Sequence, residues 1–100
     1  MNKNMMKQLQ QMQNKLAKIQ EELGNTTVEG SAGGGAVKAV VDGHQNLKSI
    51  TIAQEAVDPS DVETLQDMVL AAVQDAMENS RKVAQTKMAP LTGGLGIPGM

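Results

Sequence analysis

The sequence predicts an α+β domain: a long N-terminal helix, a three-stranded antiparallel sheet and a long C-terminal helix, with the helices projecting as arms from a homodimer. Three observations carry this. An apolar seam of helical period occupies the first quarter of the chain, two glycine-punctuated hairpins rich in β-branched residues follow, and a strong helix-start signal opens the last third.

The first helix is read from Met5, Leu9, Met12, Leu16, Ile19 and Leu23, which recur at alternating intervals of four and three. At about 100° per residue, these side chains fall within an arc of roughly 80°. Gly24 and Asn25 tolerate the left-handed conformation that ends helices, so the helix is expected from about Asn2 to Leu23.

Thr26 to Ala32, Ala36 to Asp42 and Leu47 to Ala53 read as strands. Gly33, Gly34 and Gly35 make the first corner, where positive φ costs glycine nothing. The same glycines raise the question of a phosphate cradle, but Ala36 and Val37 stand where a Walker loop requires Lys and Ser/Thr. No nucleotide is expected. Asp42-Gly43-His44-Gln45-Asn46 has turn chemistry and joins the second and third strands. Val37, Ala39 and Val41 share one face of the middle strand, and Ala36 and Val40 the other. Both faces look partly apolar, which calls for a second layer or a second copy of the chain.

Asp58-Pro59-Ser60-Asp61 places Asp58 as helix N-cap and Pro59 at the first helical position. Val62, Leu65, Val69, Ala72, Val73, Ala76 and Val83 keep helical spacing to about Lys87, and Pro90 should enforce an end. Residues 1–88 therefore form one α-β-β-β-α domain, with 89–100 a flexible Gly/Pro-rich tail. A helix of about 30 residues spans roughly 45 Å, whereas a compact domain of this size has a radius of gyration near 13 Å. The helices must outrun the sheet, and their seams stay dry only if they pair.

Composition narrows function. The 100 residues include no Phe, Tyr, Trp or Cys and eight Met, so the core is aliphatic and thioether, and a disulfide framework or thiolate metal site is excluded. No stretch is apolar enough for a signal peptide or a membrane span, which makes a cytoplasmic protein the expectation. The net charge of −2 hides a strong asymmetry: residues 1–20 carry +4 and no acid, residues 53–80 carry −7 and no base, and residues 81–100 carry +3. Lys3, Lys7, Lys15 and Lys18 fall within an arc of roughly 120° away from the seam, with Gln11 and Asn14 among them. Lysines on an outer helix face are often only solvated, but an acid-free stripe of this length also suits phosphate oxygens. Arg81, Lys82 and Lys87 complement the C-terminal dipole of the second helix and extend the candidate surface.

Catalysis finds little support. His44 is the only histidine and lies in a turn, while Glu21 and Glu22 are adjacent on a helix and point about 100° apart. No metal, cofactor or enzymatic activity is expected.

Together QMQNKLAKIQEEL, VEGSAGGGAVKAVVDGH, VDPSDVETLQDMVLAAVQDAMENS and LTGGLGIPGM resemble the YbaB/EbfC family of bacterial nucleoid-associated proteins over nearly the whole chain. The resemblance implies small α/β homodimers with tweezer-like helical arms that bind DNA and have no known enzymatic activity; the single arginine and the lack of aromatic side chains make the duplex backbone, in the nucleoid, the expected partner. One departure is Ala53-Gln54 after Ile52, where the family commonly has an Asp-Pro-like turn. An alternative from another class is a dimeric adaptor whose seam and methionines dock partner helices, and the acidic pI of about 5.2 favours it.

Overall fold

The computed structural model describes residues 2–92. Helix α1 spans Lys3–Asn25, strands β1, β2 and β3 span Thr27–Ala32, Val37–Asp42 and Leu47–Ile52, and helix α2 spans Val62–Thr92. The sheet has the order β1-β2-β3 and is antiparallel throughout, as the sequence predicts.

Local chemistry sets the boundaries. The Asn2 side chain accepts from the Met5 N–H at 2.8 Å and caps α1. The other end corrects the expected stop: α1 runs through Gly24 and Asn25, neither of which adopts positive φ, and the chain leaves it by turning extended at Thr26. There the Thr26 hydroxyl donates to the Glu22 carbonyl at 2.7 Å, and its N–H donates to the Leu23 carbonyl. The side chain thus does what a left-handed glycine does elsewhere, occupying a carbonyl that the helix leaves open.

The start of α2 also differs from expectation. Asp58 folds a turn ahead of the helix, its carboxylate accepting from both the N–H and the hydroxyl of Ser60. Asp61 is the N-cap, accepting from the Thr64 N–H at 3.3 Å and the Thr64 hydroxyl at 2.7 Å. The two acids share the work of one helix start, so the helix opens three residues later than Pro59 suggests. At its far end α2 continues to Thr92 with Pro90 inside it. Proline removes one backbone donor and crowds the carbonyl four residues back, that of exposed Thr86, which water can reach. Residues 89–92 of the expected tail are thus helical, and residues 93–100 lie outside the described residues.

Gly33, Gly34 and Gly35 all take positive φ, at 65°, 68° and 95°, and form a short 3-10 turn between β1 and β2. After β3 the Ala53-Gln54 departure is accommodated by a second such turn at Gln54–Ala56, with the Ala53 N–H donating to the Ala36 carbonyl at 2.7 Å.

Helix α2 lies across one face of β1 and β2, and the core sits between them. Val37, Ala39 and Val41 meet Ala72 and Ala76, ringed by Val28, Ala32, Leu65, Met68, Val69, Val73 and Met77. Gly30 makes this close approach possible, because a Cβ there would collide with the Ala76 backbone nitrogen and the Ala72 carbonyl. Polar pins fix the register of helix on sheet. Asp75 accepts from the Ser31 N–H at 3.0 Å, Asn79 donates to the Glu29 carbonyl at 2.8 Å, and buried Ser80 donates to the Asp42 carbonyl at 2.7 Å.

The apolar surface left open is not where the sequence suggests. The reverse face of the sheet carries Glu29, Ser31, Lys38, Ser49 and Thr51, with Val40 the one aliphatic among them. On the helix side, however, α2 packs chiefly on β1 and β2. Leu47 and Ile50 and Ile52 of β3 pair with Val41, Ala39 and Val37, so they point to the helix side yet remain exposed. Asp75 and Asn79 mark the β1 flank of α2, and exposed Leu70 belongs to the opposite flank, toward β3. The result is an apolar notch between α2 and an unpaired edge strand.

Candidate functional site

Helix α1 is anchored to the sheet at its C-terminal end. Leu23 is buried, its carbonyl accepts from the Gly43 N–H at 2.8 Å, and the Gln20 carbonyl lies 2.8 Å from His44 Nε2. The lone histidine thus occupies the predicted turn and ties that turn to the helix, a structural use of its ring. Asp42 holds the turn itself. It accepts from the N–H groups of His44 and Asn46 and from the Asn46 amide, and Lys48 lies 3.8 Å away. The Asn46 N–H foremost, then its amide, the His44 N–H and the Lys48 charge hold the Asp42 carboxyl below the ordinary carboxylate range against the opposing effect of burial.

Beyond this anchor the two helices run antiparallel as an arm. Lys87 Nζ lies 3.7 Å from a Glu22 carboxylate oxygen, and farther out Met12 lies beside Pro90 and Leu91. The molecule is accordingly long, 69 × 27 × 16 Å, with a radius of gyration of 19.1 Å against about 13 Å for a compact domain of this length. The projection inferred from helix length is present.

The predicted cations separate into two groups. Lys3, Lys7, Lys15 and Lys18 are all exposed on α1, and among the described residues none pairs with a carboxylate. Lys3, Lys7 and Lys18 occupy the side of α1 opposite its seam, while Lys15 borders the groove beside Pro90 and Leu91 together with Gln8 and Gln11. The cations of α2 are partly engaged by acids. Arg81 pairs with Glu78, Lys82 acts on the same carboxylate one turn away, and Lys87 pairs with Glu22. The Arg81 hydrogen bond and charge hold Glu78 below the usual carboxylate range. The four α1 lysines thus stand without an ion pair among the described residues, whereas Arg81 is paired on α2 and Lys82 sits beside the same acid. Lys38, which the sequence reading passed over, is exposed on the polar sheet face. Its position one residue out of phase with Val37 and Ala39 was the available signal.

Among the described residues no three His, Cys, Asp or Glu side chains converge as metal ligands, and no helix is long and apolar enough to cross a membrane. An arm with one basic face offers binding chemistry. Comparison with known proteins decides between kinds of binder: the profile of the YbaB/EbfC DNA-binding family matches residues 1–95.

The chain belongs to the YbaB/EbfC DNA-binding family.

Relatives of this YbaB/EbfC protein include a nucleoid-associated protein of Desulforamulus reducens, 59% identical over all of this chain and 94% of the relative. Another, from Caldanaerobacter subterraneus subsp. tengcongensis, is 55% identical over 97% of this chain and 87% of its own length. Among solved structures, an uncharacterized protein of Helicobacter pylori superposes with a TM-score of 0.62 at 21% identity, covering 87% of this chain and 96% of that one. That likeness speaks for the fold alone.

Proposed function

We propose that this YbaB/EbfC protein is a homodimeric, nucleoid-associated protein that holds duplex DNA by its backbone, with little sequence preference, through lysines on projecting helical arms. The observation that carries the reading is the α1 stripe, four exposed lysines without a carboxylate partner among the described residues. Ammonium groups so placed meet phosphate oxygens and release the counterions condensed on DNA. Sequence readout needs bidentate side chains such as Arg, and the chain has only Arg81, already paired with Glu78. Relatives named nucleoid-associated proteins support the cellular setting, the bacterial nucleoid in the cytoplasm.

A second copy supplies what one chain lacks. The notch formed by Leu47, Ile50, Ile52 and Leu70 joins apolar surface to an unpaired strand edge, and a symmetric partner covers both at once. Two arms then face the duplex. No residue of the proposal performs chemistry on the DNA, so the protein acts as an architectural binder and not an enzyme.

Titration of duplexes of unrelated sequence at several salt concentrations tests the reading. If the two arms neutralise about four phosphates, log K falls with log salt at a slope of roughly −3.6, about a hundredfold between 50 and 200 mM. Lys7→Glu with Lys15→Glu and Lys18→Glu should nearly abolish binding while the dimer persists. A slope near zero, or an unimpaired triple variant, removes α1 from the binding surface and favours the adaptor alternative.

A further inference from the structure

The basic stripe of α1 stops at acids. At about 100° per residue, Glu22 falls inside the arc of the four lysines, between the directions of Lys18 and Lys15 and one turn nearer the sheet. Glu21 falls on the far border of the same arc, in the direction of Lys3. The two acids differ in one respect. Among the described residues Glu21 has no ion pair, whereas a Glu22 carboxylate oxygen lies 3.7 Å from Lys87 Nζ, so that a cation of α2 stands at the inner end of a stripe borne by α1. Neither partner is locked in place. The Lys87 side chain is 34% exposed and that of Glu22 44%, and their separation exceeds the roughly 2.7–2.9 Å of a charge-assisted hydrogen bond. An exposed pair of this kind holds its partners weakly and exchanges them.

We propose that Glu22 sets the inner limit of the DNA track, masking Lys87 as a further phosphate-binding cation of each arm. The inference rests on the reading of α1 as the phosphate-binding surface. A phosphate that reaches Lys87 must take it from a carboxylate, which then stands unpaired beside the phosphate, and the two like charges repel. The new contact is offset by a repulsion of the same order. A duplex held from Lys3 to Lys18 therefore gains nothing by extending one more turn, and it stays on the outer arm, clear of the acidic body. With Glu22 neutral that opposition disappears, and the Lys87 ammonium is free to take a phosphate oxygen. The spacing suits this use: Glu22 stands about 6 Å along the axis from Lys18, so a cation beside it continues the stripe at the four-residue step that already separates Lys3 from Lys7. Glu21 carries the same charge on the same helix but masks no lysine among the described residues.

Titration of one duplex at several salt concentrations tests it in four proteins: wild type, Glu22→Gln, Glu21→Gln, and Glu22→Gln combined with Lys87→Gln. The salt slope counts the phosphates contacted. If each arm of a dimer gains one contact, the slope should steepen from roughly −3.6 to roughly −5.4 in Glu22→Gln, whose advantage over wild type then shrinks about tenfold between 50 and 200 mM. Glu21→Gln removes an equal charge and should raise affinity without changing the slope. Adding Lys87→Gln to Glu22→Gln should restore the wild-type slope. A Glu22→Gln slope equal to that of wild type, or a slope that steepens as much in Glu21→Gln, overturns the proposal. So does weaker binding by Glu22→Gln with a lowered unfolding temperature, which makes the pair a brace between the helices. A wild-type slope near zero is a different failure, that of α1 as the binding surface, and takes this inference with it.

Discussion

At the scale of single residues, two features set what the chain tolerates. The first is glycine geometry. Replacing Gly33, Gly34 and Gly35 by alanine should cost about 1 kcal/mol or more at each position, because all three φ angles are positive. At Gly33 the new Cβ would also meet Met68 Sδ at 2.5 Å, a contact that this flexible side chain can relieve by turning aside. Urea denaturation measures the loss, and ATP should bind neither protein. The second feature is the Asp42 carboxylate, held low by Asn46, His44 and Lys48. Its folded pKa lies below its unfolded value, so the stability it contributes is fully present above the unfolded pKa and is lost as pH falls through the folded one. Thermal unfolding as a function of pH should show wild type losing stability below the ordinary carboxylate range. Asp42→Ala should be less stable at neutral pH and flatter through that acid window.

At the scale of elements, the sheet has two kinds of apolar residue that look alike in sequence. Val41 is fully buried beneath α2, whereas Ile50 pairs with Ala39 on the same side but lies past the helix edge and is 40% exposed. Lysine in their places should therefore do different things. Val41→Lys buries an uncompensated charge and should destabilise the fold itself by on the order of 4 kcal/mol, with loss of circular dichroism on mild heating. Ile50→Lys should keep the fold and shift light scattering from dimer to monomer. If Ile50→Lys remains dimeric at micromolar concentration, the notch beside β3 is not the interface and another surface joins the copies. The edge strand makes the same point in backbone terms, since among the described residues no strand pairs with the outer side of β3.

At the scale of the whole molecule, charge and shape are arranged together. Acids concentrate from Glu55 through Glu78, along the body and the first half of α2, while the lysine stripe occupies the projecting helix. An acidic body beside a basic arm orients a polyanion toward the arm and away from the sheet. The absence of Phe, Tyr and Trp adds a second expectation, because base stacking is what usually lets a protein prefer single strands. For the same four phosphates the salt slope should fall from roughly −3.6 on duplex to roughly −2.8 on single-stranded DNA. Fluorescence anisotropy with matched oligonucleotides should show the single strand binding no more tightly. Tighter single-strand binding that is insensitive to salt would point to contacts other than the lysine stripe.

Sequence alone determined the order and kind of the elements, because each rests on short-range physics: the four-three seam of α1, the β-branched runs closed by glycine or Asp-Gly, and the acid-rich start of α2. It also determined that the arm must project, since helix length exceeds any compact radius. Local capping was legible only to within a few residues. Asp58 and Asp61 are both competent caps, and Thr26 could take over from Gly24 as the stop, so competing hydrogen bonds decided each boundary. The lysine stripe was legible as a stripe, and the partners of the α2 cations were legible only in part. Glu78 lies three and four residues before Arg81 and Lys82, a local spacing that the sequence carries and that was passed over, whereas the Lys87–Glu22 pair joins residues 65 positions apart and was out of reach. The notch beside β3 was likewise invisible, because Ile50 and Val41 share one pattern and differ only in whether α2 passes over them. That crossing is fixed by Gly30 against Ala72 and Ala76 and by the Asp75, Asn79 and Ser80 hydrogen bonds. Contacts between distant parts of the chain set those positions, and no local periodicity encodes them.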